Sequence, residues 1–133
     1  VKYSLIPMSR HRSKRPDACT DAYLTDAMEA HLSRHVASFD FCVQRRQEGM
    51  PIEDAAQRWS EIDSPFVKVA TLHIPTQKFR TSARHDLGES LSFSPAHALP
   101  AHRPIGGLNR ARAAIYAALS KFRHQRDGIV DLA

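Results

Sequence analysis

Cysteine is scarce in this chain, two residues in 133, and the two lie in unlike settings, Cys19 in a polar stretch and Cys42 inside an apolar alternation. That argues against a disulfide framework and for free thiols in a reducing, cytoplasmic compartment. Long apolar runs are missing too: nothing approaches the roughly 18 to 20 residues that cross a bilayer. The opening Val1-Lys2-Tyr3-Ser4-Leu5-Ile6-Pro7 is too short and too alternating for a secretory signal. Glycine is limited to five residues, and no glycine-rich phosphate loop, zinc-finger spacing or RNP motif is present. Internal repeats and low-complexity tracts are likewise absent.

What is there describes a chain that folds. Hydrophobic residues make up 42% and charged residues 25%, the balance of a globular sequence rather than a disordered one. The length fits one domain or part of one. A start without Met, in what reads as the middle of a strand, points to a fragment. The net charge of +5 would suit nucleic acid, anionic lipid or a carboxylate-bearing ligand, so its distribution has to decide among them.

Period-2 alternation marks Val1 to Leu5 as a half-buried strand before Pro7, and Phe39, Phe41 and Val43 as a second. Val67 to Ile74 is rich in β-branched residues and closed by Pro75, which predicts a third strand. Ser9 to Pro16 is polar and basic and reads as a loop, followed by an amphipathic helix from Thr20 or Asp21 to about His35. Gly49 to Pro65 is a long connection with apolar anchors, and Thr81 to Leu91 forms a short helix. Ser94 to Gly107 is dense in Pro and Gly and should be ordered but non-regular. Asn109 then caps an alanine-rich helix from Arg110 through Arg123 that stops near Gly128.

The chemistry gathers on that last helix. Arg112, Tyr116, Leu119 and Arg123 stand at i, i+4, i+7 and i+11, one narrow stripe at 3.6 residues per turn. A phenol therefore lies between two guanidinium groups. An arginine one turn before a tyrosine favours the phenolate, and a tyrosinate is a proximal ligand for haem iron. Arg123, further along the stripe, can pair with a cofactor carboxylate such as a haem propionate. The plain competing account is a core tyrosine with its hydroxyl satisfied, flanked by arginines that snorkel to solvent.

A longer series carries a family resemblance. Asp54 and Trp59, Pro65 before the Val67 to Ile74 strand, Phe93-Ser94-Pro95, then Arg112, Tyr116 and Arg123 follow in that order. So do His97-Ala98-Leu99-Pro100, His102-Arg103-Pro104 and Gly106-Gly107-Leu108-Asn109-Arg110. This resembles the C-terminal part of the haem domain in the catalase-like haem peroxidase superfamily, and the bacterial catalase-related proteins within it. The resemblance spans nearly the whole chain, loosely to about residue 36 and specifically from about Phe39 to Arg126.

The resemblance implies an α+β fold, part of an antiparallel catalase-like β-barrel with a C-terminal haem-ligand helix, over residues 1–133 as a single domain or fragment. It implies haem as cofactor, Tyr116 as the axial ligand of its iron, Arg112 as the arginine holding the tyrosinate, Arg123 near the propionates, and Phe93 in the haem-contacting segment. Its activity would be that of a peroxidase or catalase-like oxidoreductase acting on hydrogen peroxide or an organic hydroperoxide, with roles in oxidative stress. The family's Pro-Asp turn after the ligand tyrosine is replaced here by Ala117-Ala118, and the threonine of its Asp-x-Thr segment by Ala56. None of the eight histidines matches the family's distal histidine. By the resemblance, then, this segment lacks the distal half and is inactive alone, activity belonging to the full-length protein. Its partners would be the substrate and either a homo-oligomer or the missing N-terminal segment, with no membrane.

The residues also suggest other functions. The pair His97 and His102, with His85 upstream, and the i, i+4 pair His31 and His35 suggest metal ligands, but neither pair has a convincing third ligand. Arg10-His11-Arg12-Ser13-Lys14-Arg15 and the basic last helix suggest a nucleic-acid-binding module, which the missing motifs and aromatics disfavour. An inactive, truncated catalase relative is compatible with the family resemblance.

Overall fold

Alternation and β-branching at three places build one antiparallel sheet. In the computed structural model, which describes residues 1–8 and 17–129, the strands are β1 (Lys2–Pro7), β2 (Ala37–Gln44) and β3 (Val67–Ile74). Their order is β1-β2-β3, both pairings are antiparallel, and the sheet is open rather than closed into a barrel. The helices are α1 (Tyr23–Leu32), α2 (Ser82–Ser90) and α3 (Gly107–Arg126), with a single 3₁₀ turn at Pro100–His102. The architecture is thus mixed α and β, as the sequence predicts at that level. The basic loop expected over Ser9 to Pro16 lies outside the described residues.

The chain divides into two compact units, Val1–Glu48 with Ser60–Thr81, and Gly49–Trp59 with Ser82–Ala133. In the first, the period-2 pattern sorts the sheet into two chemically distinct faces. Register places Tyr3 opposite Val43, Leu5 opposite Phe41, and Phe39 opposite Leu72, so one face is apolar, with Tyr3 stacked on Phe41 at 5.4 Å between ring centroids. The other face is polar: Ser38 Oγ bonds His73 Nδ1 at 2.8 Å, and Lys68 pairs with Asp40 at 2.5 Å. Phe41 pairs with Ala70 but Cys42 with Lys68, which leaves Val69 as the extra residue of a bulge. The bulge keeps Val67 on the apolar face despite the odd count.

Gln44 closes the polar face. It is 1% exposed, and its Nε2 donates to the carbonyls of Ser60 (3.3 Å) and Ser64 (2.9 Å), while Ser64 Oγ donates to the Arg45 carbonyl at 2.6 Å. A buried amide that finds such acceptors fixes the 60–66 segment against the end of β2. Helix α1 is made of good helix formers and is held by Arg80, whose Nη1 reaches Asp26 at 2.6 Å and Glu29 at 3.1 Å. It is shorter at both ends than the periodicity suggests. Its last turn closes when Ser33 N donates to the Glu29 carbonyl.

The second unit is organised around the start of α3. Met50 and Trp59 are buried, and Trp59 Nε1 donates to the Pro51 carbonyl at 2.8 Å. Gly106 precedes α3 with φ +93°, and a Cβ there would meet the Ile52 carbonyl oxygen at 2.7 Å. Only glycine satisfies both conditions. Asn109 is therefore not the cap that the sequence suggests: α3 begins two residues earlier, and Asn109 Nδ2 instead donates back to the Ile105 carbonyl at 2.7 Å. The segment expected to be non-regular over Ser94 to Gly107 is so as far as Gly106, apart from the 3₁₀ turn, and Gly107 opens α3.

Candidate functional site

Helix α3 runs for 20 residues, and no proline or interior glycine breaks it beyond its first turn. The Ala117-Ala118 pair is plain helix. That continuity puts Arg112, Tyr116, Leu119 and Arg123 within an arc of about 60° at about 100° per residue. The helix then departs from ordinary amphipathicity. Its shielded side carries Asn109, Ala113, Ser120 and the buried His124, while Leu108, Ile115, Leu119 and Phe122 are exposed. Phe122 is 65% and Leu119 58% exposed.

By the same rotation the four exposed apolar residues fall in an arc of about 60° that adjoins the stripe. Small and polar residues fill the narrow shielded side, while the large apolar ones lie on the broad exposed remainder together with Arg112, Lys121 and most of the alanines. Tyr116 sits at the border, 38% exposed, and no described residue hydrogen-bonds its hydroxyl. Arg112 is exposed and has no acidic partner among the described residues. The two side chains share one stripe one turn apart, with no hydrogen bond between them.

Arg123 is placed differently. Its Nη2 donates to the Leu91 carbonyl, and its Nε faces Glu89 Oε2 at 3.8 Å. Glu89 also lies 3.6 Å from Arg126 Nη2, and Arg126 in turn grips Asp127 through Nε (2.6 Å) and Nη2 (2.7 Å). The Asp127 bond holds Arg126 more firmly protonated than usual and draws Asp127 below the ordinary carboxylate range. Glu89 and Arg126 line an open hollow with His85, Asp86, Asp127 and Ile129. Phe93 stands 63% exposed, two residues after the carbonyl that Arg123 holds.

The structure thus joins Arg112, Tyr116 and Arg123 on one helix and fastens the Phe93 segment to the helix through Arg123. It adds two features that the sequence reading did not single out. One is Glu89, whose place in a helix was legible but whose partner lies 34 positions on. The other is the exposed row Leu108, Ile115, Phe122, visible in the sequence as apolar residues at helical spacing.

Among the described residues Tyr116 has no hydrogen-bond partner and Arg112 no acidic one, and with the exposed apolar row along the same helix they offer a donor set whose chemistry fits haem. Among the described residues no group of three or more His, Cys, Asp or Glu gathers to hold a metal ion. His31 and His35 stand as a tilted pair 5.6 Å apart between ring centroids. Cys19 is exposed and Cys42 buried, both as free thiols. No described helix is long and apolar enough to cross a membrane. No protein-family model, curated protein or solved structure matches the chain significantly.

Proposed function

We propose that the chain is the haem-ligand part of a catalase-like haem peroxidase that acts on hydrogen peroxide or an organic hydroperoxide. The observation that carries the reading is the inverted face of α3, on which a phenol without a described partner borders the exposed row Leu108, Ile115, Leu119 and Phe122. A soluble helix that shields serine and histidine and exposes leucine and phenylalanine has an apolar side awaiting a ligand or partner. A planar apolar cofactor with one open coordination position on its metal suits a row of apolar side chains beside one oxygen donor.

In this reading Tyr116 holds the iron through its phenolate oxygen. Arg112, one turn before it on the same stripe, supplies a permanent positive charge to balance the oxygen donor. Leu119 and Ile115 present apolar surface and exclude water, and Phe93 offers an aromatic ring from the neighbouring segment. The haem, when bound, supplies the redox chemistry with peroxide, and electron donation from a tyrosinate supports it. No residue of this chain is assigned the distal proton-transfer role.

The test is a visible absorption titration of the purified chain with ferric haem, run beside Tyr116→Phe. Saturable binding with a high-spin tyrosinate spectrum that disappears in the variant is the expected result. Identical weak binding by both proteins would remove Tyr116 as the ligand and the proposed function with it.

A further inference from the structure

Arginine binds a carboxylate most strongly side-on, with Nε and one terminal nitrogen donating in parallel to its two oxygens. At Arg123 that edge is already in use: Nε faces Glu89 Oε2 at 3.8 Å and Nη2 donates to the Leu91 carbonyl. The Nε and Oε2 atoms are both shut off from solvent, and neither makes a hydrogen bond. Arg126, the other arginine here, has the same edge closed by Asp127 at 2.6 and 2.7 Å. Two cations therefore meet two carboxylates of the same chain, and the C-terminal end of α3 presents no uncompensated positive charge from this pair.

We infer that Glu89 is an internal stand-in for a ligand carboxylate, occupying the face of Arg123 that an incoming carboxylate needs. The inference rests on the haem reading above, since the ligand in question is a macrocycle with two carboxylates. It changes what Arg123 contributes. Rather than an open anion site, Arg123 is a closed one in which a propionate exchanges with Glu89 and gains little net attraction. Glu89 is displaceable because it faces Arg123 at 3.8 Å without a hydrogen bond, and the exchange is near neutral because the bond a propionate forms is offset by the charge contacts of Glu89 with Arg123 and Arg126 that are lost.

The experiment uses two probes, ferric protoporphyrin IX and its dimethyl ester, which keeps the iron and the ring but has no free carboxylates. Both are titrated by absorbance into the wild-type chain, Glu89→Gln, Arg123→Gln, the double variant and Tyr116→Phe, with circular dichroism to check folding. The wild type should bind the two probes within about threefold of each other, because the exchange with Glu89 is near neutral. Glu89→Gln should bind the free acid about fivefold more tightly and the ester unchanged, a gain that Arg123→Gln abolishes in the double variant. A wild type that prefers the free acid by more than about tenfold, with the preference lost in Arg123→Gln, overturns the inference even if Glu89→Gln does not fold. Tyr116-dependent binding that Glu89→Gln leaves unaltered removes the role of Glu89 alone. Binding of both probes by Tyr116→Phe as by the wild type removes the haem reading, and the Glu89 inference with it.

Discussion

A Cβ on Gly106 would lie 2.7 Å from the carbonyl oxygen of Ile52, in a backbone conformation, φ +93°, that side chains rarely adopt. The close approach fixes where α3 begins, and so where Tyr116 stands along it. Gly106→Ala should therefore cost about 1–3 kcal/mol, from positive φ together with a backbone clash. Thermal unfolding measures it; an unchanged midpoint would mean that the Ile52 segment yields without cost.

The same end of α3 carries a pH-dependent tie. Arg110 donates to both oxygens of Glu53, at 3.1 and 2.8 Å, and this bond lowers the Glu53 pKa. A folded-state value below the unfolded one contributes stability above the unfolded pKa that is lost as pH falls through the folded one. Acid unfolding of wild type and Arg110→Gln should differ at neutral pH, begin to converge as pH falls past the ordinary glutamate value of about 4.3, and coincide once Glu53 is protonated in the folded state as well. A difference that persists at lower pH would exclude the ion pair as its source. Both side chains are well exposed, so the difference should be small and should shrink with added salt.

Gln44 is the most deeply buried polar side chain described, and its amide serves two carbonyls. Gln44→Leu removes the donor and leaves those acceptors unsatisfied, for an expected loss of about 1–3 kcal/mol. Chemical denaturation is the measurement. Equal or greater stability in the variant would show that water reaches Ser60 and Ser64.

The inverted face of α3 separates stability from binding. Phe122→Glu should change unfolding free energy by less than about 0.5 kcal/mol, because the ring is largely exposed. Trp59→Ala, by contrast, should cost about 3–5 kcal/mol through loss of a buried indole and its hydrogen bond. A Phe122 variant as damaging as the Trp59 one would show that the apolar row is core after all.

Arg112→Gln tests the electrostatic half of the proposed site. The side chain has no acidic partner among the described residues, so the fold should be unaffected. Ferric haem affinity should fall about threefold, the worth of an exposed charge pair that makes no hydrogen bond. Unaltered affinity and spectrum would leave Tyr116 without the help assigned to Arg112.

The elements were legible where a local rule was strong. Val67 to Ile74 was bounded correctly because β-branching ends at a proline, and the Arg112, Tyr116, Leu119, Arg123 stripe followed from helical geometry once Ala117-Ala118 was read as unbroken helix. The start of α3 was misplaced because Asn109 is a good cap in isolation, whereas the decisive contact, Gly106 against Ile52, joins residues 54 positions apart. Periodicity likewise gave the strands but not the bulge at Val69, which answers to pairing with β2 rather than to anything in β3 itself.

By itself, then, the sequence determined the three strands, the helices and the rotation that aligns a phenol with two guanidinium groups, since each depends on neighbours within one or two turns. Only the tertiary structure decided that Arg123 is closed by Glu89 and the Leu91 carbonyl, that Gln44 is buried with its acceptors, and that α3 exposes its apolar row. Those outcomes depend on which groups meet across long stretches of chain, where desolvation and hydrogen-bond geometry, not local propensity, select the partner.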